Sequence, residues 1–100
     1  MNLNQTITLS PDVISQEVSG ETVLLDLESE NYFGLDEVGT RIWQLLVEHG
    51  ELEPVCATLL EEYEVEEAQL RADLAALLER LEAAGIVTIE DEDVQDRGAP

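Results

Sequence analysis

No lysine occurs in the sequence; its cations are four arginines, Arg41, Arg71, Arg80 and Arg97, set against 24 aspartates and glutamates. The formal net charge is -20, with a pI near 4.1. A surface of that sign repels phosphate backbones and anionic lipid head groups, and specific DNA binding needs a basic footprint. The expected partners therefore include no nucleic acid and no membrane. Long apolar runs are missing too: none approaches the roughly 20 residues needed to cross a bilayer. Met1 to Ser10 carries neither positive charge nor an apolar block, so it does not read as a signal peptide, and a cytoplasmic location is expected.

Reactive side chains are equally scarce. Cys56 is the single cysteine, which excludes an internal disulfide and leaves zinc without a second thiolate. It falls on or near the apolar stripe of a predicted helix and reads as a small core residue. His49 is the single histidine and sits just before Gly50, where an imidazole suits a helix C-terminus. There is no nucleophile with a base and an orienting acid, no calcium loop and no phosphate-binding glycine loop. Carboxylates are abundant, but Glu61-Glu62 and Glu66-Glu67 read most simply as solvated helix faces. No catalytic residue, no metal site and no cofactor is expected.

What is present is a foldable pattern. With 100 residues, 44% of them apolar, the chain suits one domain with one modest core. The first third reads as β structure. Thr6 to Leu9 alternates weakly, and Pro11-Asp12 breaks the chain. Val13 to Val18 and Thr22 to Leu27 are strands flanking a Ser19-Gly20 turn, where glycine supplies positive φ at no steric cost. Tyr32 to Leu35 follows as a third strand. The remainder reads as three helices. The first runs from an Asp36 N-cap to His49, and the second from Glu53 to about Tyr63 with Pro54 in its first turn. The third runs from about Glu66 to Ala84, with Gly85 as a stop. Leu70, Leu74, Leu77, Leu78 and Leu81 give it an amphipathic stripe. The expected class is α+β: a three-stranded antiparallel sheet followed by three helices, winged helix-turn-helix-like. Residues 1–89 form the expected domain, with Ile86 to Ile89 as a short extended piece, and 90–100 an acidic flexible tail. A DNA-reading third helix would not carry Glu66, Glu67, Asp73, Glu79 and Glu82 against Arg71 and Arg80 alone.

The third strand is the segment most open to function. As the end of a meander it is an edge, presenting backbone N–H and C=O groups to any extended chain. Gly34 within it permits close approach, and Tyr32 and Phe33 offer contact area on opposite faces. Together these suggest strand addition. Equally, Phe33 and Leu35 suit a core and Gly34 a bulge; the leucine stripe suits core packing first, with part of it able to line a cleft beside the edge, and Trp43 suits core packing first and an exposed interface anchor second. The acidity reads first as solubility and second as a face for a basic partner. An acyl carrier protein, also small and acidic, needs a modifiable serine at a helix start, and Leu35-Asp36-Glu37-Val38 has none. An acidic protein-binding or DNA-mimic regulatory module fits the charge but leaves the hairpin and the glycine-containing edge unexplained.

Several blocks together resemble the PqqD-like domains, also called RiPP recognition elements. They are Val23-Leu24-Leu25-Asp26-Leu27, Tyr32-Phe33-Gly34-Leu35-Asp36 and Gly39-Thr40-Arg41-Ile42-Trp43, then Asp73-Leu74, Leu77-Leu78, Leu81 and Gly85-Ile86-Val87. The likeness spans about Val13 to Ile89, and Glu62-Tyr63-Glu64-Val65 looks most like the stand-alone lasso-peptide members. The resemblance implies a non-catalytic peptide chaperone. It would bind the leader of a ribosomally made precursor peptide as an added antiparallel strand on the third strand, beside the third helix. It would then present the leader to a separate leader peptidase and cyclase. The implied backbone ladder is Asn31 to Leu35. The implied cleft side chains are Tyr32, Phe33, Leu70, Asp73, Leu74, Leu77 and Leu78. On this reading Phe33→Ala or Leu74→Ala costs more binding than any surface Glu→Gln change. The open edge also permits a homodimer through the same strand.

Overall fold

The computed structural model describes residues 3–91. In chain order its elements are β1 (Gln5–Leu9), β2 (Val13–Val18), β3 (Glu21–Asp26), β4 (Tyr32–Leu35), α1 (Glu37–His49), α2 (Leu52–Glu62), α3 (Glu67–Ala83) and β5 (Val87–Asp91). The α+β expectation holds: β2, β3 and β4 form an antiparallel three-stranded sheet in that order, and three helices follow. Ser19 and Gly20 both take positive φ, 55° and 85°, as a two-residue turn matched to strand twist requires. Helix boundaries lie within one residue of those expected. The Asp36 carboxylate accepts from the Gly39 N–H at 2.8 Å and opens α1. Gly50, in the left-handed region, closes it with its N–H on the Leu46 carbonyl.

A second sheet was not anticipated as such. β1 pairs antiparallel with β5, from Gln5↔Asp91 to Leu9↔Val87. β5 thus extends through Glu90 and Asp91, two residues past the boundary drawn at 89, while the rest of the expected tail, 92–100, lies outside the described residues. Ile7 ties this pair to the helices, donating its N–H to the Gly50 carbonyl at 2.7 Å.

One core fills the space between the sheets and the helices. Leu24 and Leu35 enter it from the larger sheet, Ile7 and Val87 from the smaller. Ile42, Trp43, Leu45 and Leu46 come from α1, Leu52, Val55, Cys56 and Leu59 from α2, and Leu70, Leu74, Leu78 and Leu81 from α3. Trp43 and Cys56 are therefore core residues, and burial pushes the Cys56 thiol pKa up, because an apolar surround disfavours the thiolate. On β3 the buried side chains are Thr22, Leu24 and Asp26, while the more apolar Val23, and Leu27 just past the strand, are exposed. Asp26 can be buried because its carboxylate is satisfied, accepting from the Glu28 N–H at 3.0 Å and the Ser29 hydroxyl at 2.9 Å. Those two bonds close the turn that delivers the chain into β4.

Candidate functional site

The site begins with the parity of β4. The Asp26 N–H donates to the Asn31 carbonyl at 3.0 Å. That bond continues the register Leu24↔Phe33 and Thr22↔Leu35. In an antiparallel ladder, pairs that exchange hydrogen bonds alternate with pairs that do not. The backbone groups of Asn31, Phe33 and Leu35 therefore face β3. Those of Tyr32 and Gly34 face the open edge, where no strand neighbours β4 among the described residues. Of the five residues expected in the ladder, two carry the outward donors and acceptors. A Cβ built on Gly34 would meet nothing within 4 Å, so the strand is unobstructed there.

Beside that edge lies a cleft of about 500 Å³ lined by Gly34, Leu35 and Asp36, by Val38, Gly39 and Ile42 of α1, and by Asp73, Leu77 and Arg80 of α3. Asp73, Leu77 and Arg80 are spaced i, i+4 and i+7, one face of the helix. Its acids are already engaged: Asp36 caps α1, and Asp73 accepts from the Gln69 amide at 2.9 Å. Arg80 lies with its guanidinium carbon 5.2 Å from the centre of the Phe33 ring, a cation–π contact that joins α3 to β4.

The expected residues divide clearly. Gly34, Leu35, Asp73 and Leu77 line the cleft, and Phe33 borders it through Arg80. Tyr32 does not; it is 75% exposed on the opposite face of the sheet, in a shallow depression with Ile14, Val23 and Leu25. Leu70, Leu74 and Leu78 do not line the cleft; all three are buried in the core. The leucine stripe turned inward, and Leu77, at its flank, was left at the cleft wall. Arg80, Asp36, Val38, Ile42 and Gly39 were missed. Helical spacing from Asp73 and Leu77 would have found Arg80 once that face was known.

The cleft elements coincide with a recognised stretch of sequence. The family described as Coenzyme PQQ synthesis protein D (PqqD) matches residues 21–87, from the start of β3 to the start of β5. Two solved structures are similar. One is TbiB1 in complex with the TbiA(beta) leader peptide, at 36% identity and a TM-score of 0.76, covering 80% of this chain and 93% of that one. The other is a lasso peptide synthetase B1 complexed with the leader peptide, at 30% identity and a TM-score of 0.75, covering 83% and 98%. Comparison with curated proteins gave no match. On the family match and these structural likenesses together, the chain belongs to the PqqD family.

Proposed function

We propose that this chain is a non-catalytic leader-binding protein of lasso-peptide biosynthesis. It takes the leader of a ribosomally made precursor as an antiparallel strand on β4, beside α3, and presents it to a leader peptidase and a cyclase. The observation that carries the reading is the open edge of β4 set against a cleft of about 500 Å³. Both similar solved structures are complexes with a leader peptide. The outward groups of Tyr32 and Gly34 supply about four ladder hydrogen bonds. At roughly 1 kcal/mol each, these fall short of the roughly 8 kcal/mol of a micromolar complex. Apolar leader side chains entering between Leu35, Val38, Ile42 and Leu77 supply much of the rest. Function then arises by holding the substrate at high effective concentration near its enzymes, with no bond made or broken here.

The test is fluorescence anisotropy of a labelled leader, taken from the precursor encoded beside this gene, titrated with the folded protein. Saturable binding that survives moderate salt and disappears with a scrambled leader is expected. Absence of binding by folded protein refutes the proposal.

A further inference from the structure

Resting on that reading, we infer that Arg80 sets the register of the bound leader by pairing with an acidic leader side chain two positions C-terminal to its apolar anchor.

A backbone ladder cannot set this register. Its groups repeat every two residues, so a two-residue slip keeps the same bonds and the same faces. Side chains must choose. Residues directly opposite in an antiparallel pair point to the same face. The leader residues aimed inward are thus those across from Phe33 and Leu35. Because the strands run oppositely, the one across from Leu35 precedes the one across from Phe33 by two. The first meets Leu35, Val38, Ile42 and Leu77, an apolar surround. The second meets Arg80, whose guanidinium is held near the Phe33 ring.

Arg80 is suited to receive an anion. Among the described residues Arg41 is paired with Glu62 and Arg71 lies near Glu67, whereas Arg80 forms no ion pair. Stacking on a ring uses the face of a guanidinium and leaves its N–H donors at the rim. The surroundings sharpen the choice. Net charge is -20, and Asp36 and Asp73 line the same cleft. An acidic leader side chain is therefore attracted at Arg80 and repelled elsewhere, so a slipped register carries a like-charge penalty. A carboxylate that would weaken binding anywhere else marks the correct alignment.

The experiment is an mRNA-display selection of random 20-residue peptides on the full chain, on Arg80→Gln and on Arg80→Glu, with each variant's fold checked by circular dichroism. The native chain should enrich peptides carrying an apolar residue, a spacer and an Asp or Glu. Arg80→Gln should keep the apolar preference and lose the acidic one, and Arg80→Glu should turn it to Lys or Arg. Neutralising the acid in the best peptide should weaken native binding by about tenfold and leave Arg80→Gln unaffected. Apolar enrichment without an acidic preference, or the same preference in Arg80→Gln, overturns the inference but leaves leader binding standing. No enrichment on folded protein overturns both.

Discussion

Replacing Gly34 with proline separates the edge of β4 from its interior. The Asp26–Asn31 bond fixes the parity of the strand, so the Gly34 N–H points away from β3. Proline deletes that donor and puts its ring where an incoming backbone would lie, which edge strands of a folded domain tolerate. Losing both ladder bonds at Gly34 amounts to about 2 kcal/mol, or roughly thirtyfold in dissociation constant. The free protein loses no hydrogen bond, and the restricted unfolded chain offsets part of any strain, so stability should change by about 1 kcal/mol or less. Phe33→Pro is the opposite case. It strips a donor from the ladder with Leu24 and removes a ring packed against the core, at about 3 kcal/mol. Leader titration by anisotropy, with thermal denaturation of both variants, reads the two effects separately. Native affinity in Gly34→Pro, alongside a stable Phe33→Pro, would mean that the parity is reversed and the site misassigned.

Leu74, fully buried, should behave as a core residue, so Leu74→Ala lowers stability by about 2–5 kcal/mol in a denaturant titration. Leu77→Ala should instead weaken leader binding while shifting the melting temperature little, which calorimetry beside anisotropy would show. Asp26→Ala removes both side-chain bonds of the β3–β4 turn and should cost about 2 kcal/mol of stability, measured by chemical denaturation. Glu62 is held below the usual carboxylate pKa by its hydrogen bonds to Arg41, at 2.8 and 2.6 Å. A folded pKa depressed in this way contributes stability above the unfolded value, and that contribution fades as pH falls through the folded one. The difference in melting temperature between the native chain and Arg41→Gln should thus be small but present at neutral pH, and vanish in acid. A constant difference across that range would contradict the pairing.

Local signals carried most of the chain's reading. The Ser19-Gly20 turn, the Asp36 and Gly50 caps and the 3.6-residue stripe of α3 each depend on neighbours within a few positions, and each was legible. The pairing of β1 with β5 joins residues more than 75 apart, and no local pattern encodes it. The buried face of β3 was hidden for another reason: alternation shows that two faces exist, and here the more apolar one faces outward. Only the Asp26 turn and the inward Phe33 and Leu35 settle the matter. The cleft was legible as a strand edge with a helix beside it. Which leucines fill the core and which one borders the cleft depends on a rotation of α3 that its own sequence leaves open.

The β1–β5 pair has a topological consequence. Gln5 lies across from Asp91, so the chain enters and leaves this unit at neighbouring points, about 5 Å apart as paired strands are. Neither strand borders the cleft. Everything between the two points is a closed excursion that begins and ends at one spot on the surface. A unit built this way is portable: spliced into a loop of a larger host, or joined to a catalytic partner by a linker at either end, it would hang from a single pivot with its open strand free. The same geometry would let one tether length serve both kinds of attachment.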